Sequence, residues 1–417
     1  MAIPHKRLRN GALAFGIAAA LAWGASLPLA PALAQSAATR SSTTASASGA
    51  APRSDSLRPQ LAIKRAALDR LAARPAGEAE AQTLQARVTA ESRSGVRRLR
   101  IDDFQYLSDS GRDFGGYNLG AGSWDTEVAV LASAVADEFV IQAAASGIAL
   151  DALDVVFTSH PDAPSTAARD TRVRYPRNLR YVAHIDSPAS DAELETLRRA
   201  VERVSPVLNL IAEAQPVGHG RIVHTVSPAQ RDPGLPPGLR DFLVEKRSAI
   251  LRRQQLAKTR PSEPYALRAH ARVEPATGLR EIRTGDGNFQ FIHDSRRELG
   301  GHGLEATGEQ HQLGVLGTCL THIFEIQAAT REVVLDGLEL TLQATLTPRI
   351  GSGAQSPPRY RDIQYTVHIE SPASAQEIEG LRDAVEATCP VYNLLKDPQQ
   401  IAGSIVRGRY VADAAPR

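Results

Sequence analysis

Two cysteines carry the most reactive side chains in this 417-residue chain, and it contains no others. Cys319 sits in an apolar stretch, GVLGTCLTHIF (314–324), and Cys389 opens the tripeptide CPV (389–391). Seventy residues separate them. No C-x-x-C pair and no His/Cys spacing of a zinc site accompanies them. Cys389 stands where a helix N-cap would, with Pro390 at the first helical position. Free backbone amides at such a helix start favour a thiolate. Cys319 lies deeper in its predicted helix, so a helix terminus helps it little and it needs a nearby cation to be reactive. His322 falls one turn after Cys319 on the same face. It either tunes the thiol or is an ordinary interfacial imidazole.

A second version of the Cys319 segment, AVLASAVADEF (129–139), has Ala134 in place of the cysteine. The likeness runs along most of the chain. FQYLSDSGRDFGG (104–116) matches FQFIHDSRRELGG (289–301), AHIDSPAS (183–190) matches VHIESPAS (367–374), and SPVLNLI (205–211) matches CPVYNLL (389–395). The offset stays between 182 and 185 residues, as in a tandem duplication. His184 and His368 recur in both copies, which suggests a role in the fold. Residues 212–238, with the Pro/Gly-rich VSPAQRDPGLPPG, read as the junction.

The elements that must position the thiols follow the same plan twice. An amphipathic helix opens each copy (57–72, 239–254). Arg240, Lys246, Arg247, Arg252 and Arg253 on the second of these read as a solvated face. Strands follow, with FQFIHDS alternating as a half-buried strand does. A Gly-Gly turn leads to a long apolar helix (about 125–147, 308–332). In the second copy Thr307 and Gln310 have capping-box spacing. Two more strands precede a charged helix that breaks at Ser205-Pro206 or Cys389-Pro390 into a short final helix. The pattern predicts an α+β fold.

At the N-terminus His5, Lys6, Arg7 and Arg9 precede an apolar stretch and then Ala32-Leu33-Ala34. That reads as a secretory signal over 1–34, cleaved rather than retained as an anchor. Residues 35–56, rich in Ser, Ala and Thr, read as a disordered linker. Loss of 1–34 removes Lys6, Arg7 and Arg9, taking Lys+Arg from 48 to 45 against 46 Asp+Glu. A near-neutral mature chain has little electrostatic motive to bind nucleic acid. Export to the periplasm places the cysteines in an oxidising compartment.

The ordered motifs ELGG (298–301), Thr-Gly-Glu-Gln (307–310), Cys319 ten residues after Glu309, and CPV (389–391) resemble the OsmC/Ohr superfamily of thiol-dependent hydroperoxide reductases. The resemblance covers about 270–410 and extends through the repeat to about 88–226. Gly308 stands where the family has Pro. The resemblance implies that Cys319 is the peroxidatic thiol and Cys389 the resolving one. It also implies that an Arg activates Cys319 and that Glu309 holds that Arg. Arg280 is the first candidate and Arg283 the next. Arg97 matches Arg280 in the first copy, but Trp124 and Ala134 replace Glu309 and Cys319 there. That copy cannot run the reaction itself, yet it can supply scaffold and an Arg. Along one straight helix Glu309 and Cys319 stand about 15 Å apart.

Family members form intertwined homodimers. The resemblance therefore predicts two domains, 57–230 and 231–417, paired within one chain as a pseudo-dimer with antiparallel strands around long central helices. It predicts no cofactor or metal, an organic hydroperoxide as substrate and a thiol reductant of unknown identity. Two functions stay open. One is a thiol peroxidase working through a Cys319–Cys389 disulfide. The other is a non-enzymatic protein that binds a ligand or partner, with the disulfide as a staple.

Overall fold

The computed structural model describes residues 55–75, 79–160, 175–260, 266–285, 287–350 and 356–411. The expected signal segment and almost all of the expected linker lie outside the described residues. The remainder builds two six-stranded sheets around two central helices. β1 (Gln82–Ala90), β2 (Arg97–Ile101) and β3 (Phe104–Ser108) lead to α2 (Ser123–Ser146), which follows the opening helix α1 (Arg58–Ala72). β4 (Ala152–Ser159), β5 (Leu179–Asp186), α3 (Asp191–Val204), α4 (Pro206–Ala212) and β6 (Arg221–Val226) follow. The second series is α5 (Leu239–Thr259), β7 (Leu267–Val273), β8 (Arg280–Thr284), β9 (Phe289–His293) and α6 (Gly308–Arg331). It ends with β10 (Gly337–Leu346), β11 (Tyr360–Ser371), α7 (Ala375–Thr388), α8 (Pro390–Lys396) and β12 (Ile401–Arg407).

Each sheet takes strands from both series. The first runs β3-β2-β1-β10-β11-β6 and the second β9-β8-β7-β4-β5-β12, the same order once β1–β6 are matched to β7–β12. Segments 57–230 and 231–417 are thus interleaved rather than folded side by side. Neighbours are antiparallel except at the edges, where β6 runs parallel to β11 and β12 parallel to β5. These two edge strands are absent from the sequence reading, because RIVHTV and IAGSIVR are short and mostly half-exposed.

The two central helices are apolar on nearly every side, which is the signature of a helix with no solvent face. Every residue from Thr126 to Ala144 is buried. α2 is also the one helix among the described residues long and apolar enough to cross a membrane, yet 94% of its apolar window is buried inside the fold. α6 packs on β1, β2 and β10, α2 packs on β4, β7 and β8, and the helices pack on each other. Gly314 and Gly317 let the first sheet approach closely. A Cβ on Gly317 would stand 2.6 Å from Leu342 Cδ1 and 2.8 Å from Val88 Cγ2.

Local signals set the helix ends. Thr307 and Gln310 form the expected capping box of α6, and Ser190/Glu193 and Ser374/Glu377 do the same for α3 and α7. The Gly-Gly turn recurs for a steric reason. Gly115 and Gly300 adopt left-handed φ of 76° and 83°, where a Cβ is unfavourable. A Cβ on Gly116 or Gly301 would lie 2.0 or 1.7 Å from the carbonyl oxygen of Ser110 or Ser295. The turns wrap a buried aspartate each. Asp109 accepts from the amides of Ser110, Tyr117 and Leu119, and Asp294 from those of Ser295, His302 and Leu304.

Candidate active site

α6 carries Cys319 into the core, 2% exposed, and the break between α7 and α8 brings Cys389 against it, fully buried. The two sulfurs are 3.3 Å apart, with the Cys389 thiol donating to Cys319. The break is encoded locally. Pro390 has no N–H to offer α7, so the chain turns at Cys389, whose own N–H still reaches Val385 O. Burial pushes the Cys389 thiol well above its ordinary range, and the bond to Cys319 adds to this. The amides of Tyr392 and Val391 oppose it more weakly. Cys389 is thus held as a protonated donor facing the Cys319 sulfur.

A buried charge cluster lies on the other side of Cys319. β2 supplies Arg97, which points inward from a strand whose other inward residues are Leu99 and Ile101. The Arg97 guanidinium lies within electrostatic reach of the Cys319 sulfur. Its contacts are loose: Nη1 lies 3.3 Å from Ser110 Oγ and 3.3 Å from His322 Nδ1, and Nη2 3.4 Å from Ser108 Oγ. Its Nε has no partner among the described residues. Glu325 on α6 is fully buried, with Oε2 3.7 Å from Arg97 Nη1 and 2.9 Å from Lys246 Nζ on α5. No group among the described residues meets either Glu325 oxygen in hydrogen-bond geometry.

Burial alone would raise Glu325, but Lys246, the contact with His322 and Arg97 together hold it below the usual carboxylate range. Burial lowers His322 to about 3, helped by Lys246 and Arg97, so its imidazole is neutral and its Nδ1 accepts from Arg97. A cleft of about 380 Å³ between β3 and β9 reaches this region. Its lining includes Ser108, which touches Arg97, and Thr318, which precedes Cys319, together with Leu99, Leu119 and Phe291. Cys319 itself does not line the cleft.

Residues 301–402 match the family model described as OsmC-like protein. The chain carries an OsmC-like domain. The matched span begins in the Gly-Gly turn and ends in β12, and both cysteines fall inside it. Among solved structures, an OsmC-like protein from Mycoplasma pneumoniae is similar at 18% identity, covering 34% of this chain and 96% of the other, with a TM-score of 0.27. A second is an organic hydroperoxide resistance protein OsmC from Legionella pneumophila. It is 21% identical, with coverage of 30% and 88% and a TM-score of 0.23. No curated protein matches the sequence.

The structure brings together only two of the four residues named for the site. Cys319 and Cys389 come together. Arg280 does not join them. It is buried beside α2, where its Nε donates to Ser133 and its Nη1 to Asp137 and Ser295. The guanidinium that reaches Cys319 is its first-series counterpart, Arg97, because α6 packs on β2 rather than on β8. Glu309 also lies elsewhere. Tyr360 donates to its carbonyl, and its neighbour Gly308 packs against Ala134. The first turn that crosses near Cys319 belongs to α2, where Ser123 Oγ lies 3.2 Å from Thr318 Oγ1.

Lys246 and Glu325 take part instead, and the sequence reading missed both roles. Lys246 is 1% exposed rather than on a solvated face. Two signals in the sequence pointed to them. Lys recurs at matching positions 64 and 246, and Glu325 is an acid inside an otherwise apolar helix.

Proposed function

We propose that the protein is a thiol-dependent peroxidase that reduces organic hydroperoxides at Cys319. The single observation that carries this reading is the pair of sulfurs 3.3 Å apart beside a buried Arg97 whose Nε lacks a partner among the described residues. A buried guanidinium with an unused donor suits an incoming peroxide oxygen and the negative charge that develops on it. The Cys319 thiolate attacks the distal oxygen of ROOH, the O–O bond breaks, and RO⁻ takes a proton to leave as ROH. Cys319 is then a sulfenic acid. The Cys389 sulfur attacks the Cys319 sulfur and water leaves, carrying the sulfenic oxygen. An external dithiol returns the Cys319–Cys389 disulfide to two thiols. Only a small motion is needed, since the sulfurs must close from 3.3 Å to about 2.0 Å.

The equivalent strand orders of the two sheets support reading the chain as a tandem duplication folded into an intrachain pseudo-dimer, with the Ala134 half retained as scaffold. The basic, apolar and A-x-A features of residues 1–34 support export to the periplasm. A second reading, a ligand-binding protein stapled by a disulfide, is favoured by the near-complete burial of Cys319. Trapping separates the two. One equivalent of cumene hydroperoxide should convert the reduced protein to a Cys319–Cys389 disulfide within seconds. In Cys389→Ser the same treatment should leave a dimedone-reactive sulfenic acid on Cys319. If neither species forms faster than in air alone, the peroxidase reading fails.

A further inference from the structure

The fold contains the charge cluster twice, and the two copies differ in how tightly they close. Around Arg280 stand Lys64 from α1, Asp137 and Ser133 from α2, and Ser295 and the Asp294 carbonyl from the turn after β9. The lysine, arginine, serine and aspartate side chains there are joined by bonds of 2.5–3.3 Å. Ser295 Oγ donates to Asp137 at 2.7 Å, and Lys64 Nζ reaches both Ser295 Oγ and Asp137. Arg280 uses all three of its nitrogens.

Around Arg97 stand the matching groups: Lys246 from α5, Ser108 and Ser110 after β3, and the backbone-bound Asp109. Here the guanidinium contacts lengthen to 3.3–3.4 Å and Nε is left over. Two positions differ between the copies. Thr318 stands where Ser133 accepts from Arg280 Nε, and its hydroxyl donates to Val315 O instead. Asp137 lies three residues after Ala134, and His322 lies three residues after Cys319, so the two occupy the same helical position. Asp137 brings a full charge, and its Oδ1 accepts from the arginine, the lysine and the serine together. His322 brings a neutral ring with one accepting nitrogen. The carboxylate of this copy has moved along the helix to Glu325, where Lys246 lies nearest and Arg97 stays 3.7 Å away.

Building on the peroxidase reading, we propose that His322 is a positioning residue that keeps Arg97 available to a ligand at Cys319. Asp137, at the same position of α2, keeps Arg280 silent. Together with Thr318 in place of Ser133, the identity of this helical position, and not the presence of cysteine alone, decides which half of the fold holds a competent site. His322→Asp should draw Arg97 and Ser110 into a closed cluster like that around Arg280, with Cys319, Cys389, Lys246 and Glu325 all still present.

Two arms test this. In the first, Cys319 oxidation by cumene hydroperoxide and its reaction with methyl methanethiosulfonate are followed against pH in Cys389→Ser. Adding His322→Asp should slow both at neutral pH by about tenfold or more and shift the profile to higher pH, whereas His322→Gln should stay within about threefold. In the second arm, Ala134→Cys is introduced with Cys319→Ser and Cys389→Ser. Its thiol should react with methyl methanethiosulfonate about tenfold faster once Asp137→His is added. Because this arm leaves α6 intact apart from one serine, it covers the case in which His322→Asp fails to fold. Equal rates in either comparison overturn the proposal. Methyl methanethiosulfonate needs no peroxide, so a protein inert to hydroperoxide but sensitive to these exchanges would defeat the peroxidase reading alone.

Discussion

Replacing Lys246 with Met tests whether the cluster beside Cys319 is a true buried ion pair. Lys246 and Glu325 are 1% and 0% exposed, and their closest approach is 2.9 Å. Met keeps the apolar stem and removes the charge, leaving Glu325 buried with only Arg97 at 3.7 Å. Removing one partner of a buried pair costs about 3–5 kcal/mol. The residual attraction of Arg97 places the expectation at the lower end, about 3 kcal/mol at neutral pH. The sign of the pH dependence follows from Glu325. In the native chain its folded-state pKa is depressed, so its stabilisation is present at neutral pH and lost as pH falls through that value. In the variant the unpaired carboxyl takes up a proton more readily when folded. The gap between the two proteins therefore narrows as the pH falls from about 7 toward about 4. The assay is urea unfolding of wild type, Lys246→Met, Glu325→Leu and the double variant. The double variant should recover most of the loss, since an apolar pair of similar volume often replaces a buried ion pair without penalty. A Lys246→Met loss under about 1 kcal/mol, or additive single effects, would refute the buried-pair account.

Further expectations follow from the same geometry. Glu127 is buried between α2 and α6 with Gln312 as its donor, and burial raises it to about 7. A raised carboxyl loses stability as pH climbs from its ordinary 4.5 to about 7, here by about 3 kcal/mol. Glu127→Gln should abolish that slope in unfolding titrations compared with wild type. Glu309→Gln should change the peroxide rate less than about twofold, whereas Arg97→Met should lower it about 10²-fold or more in stopped-flow traces. Gly301→Ala should prevent stable folding, read by the loss of cooperative thermal unfolding, because its Cβ would collide with the Ser295 carbonyl at 1.7 Å. Gly317→Ala meets only side-chain ends, and overpacking should cost about 1–3 kcal/mol in the same measurement.

What was legible in the sequence was what local physics encodes. The capping box at Thr307, the break at Cys389-Pro390, the Gly-Gly turns and the two apolar central helices each follow from a few neighbouring residues. The pairing of the two cysteines was open to view only through the family motif. The strand exchange was expected only through the resemblance to intertwined dimers; the local pattern does not show it, because β1 carries the same alternation whether it pairs with β4 or with β10. That exchange decides the site. Arg97 and Arg280 occupy matching positions on matching strands, and only the packing of α6 on β2 selects Arg97. Lys246 was misread because helix α5 carries five cations between 240 and 253, and burial of one among them leaves no mark on periodicity. Glu309 was placed by motif, yet ten residues of helix carry it away from Cys319, and the crossing helix brings Ser123 against the neighbouring Thr318 instead.

The central claim is that Cys319 is an activated thiol that reacts with hydroperoxides under Arg97. Stopped-flow measurement of the fully reduced protein with cumene hydroperoxide tests it most directly, with free cysteine and Cys319→Ser as references. The account predicts a second-order rate about 10²–10³ above free cysteine, absent in Cys319→Ser and lost to a similar degree in Arg97→Met. A wild-type rate no faster than free cysteine, or one indifferent to Arg97, would contradict it.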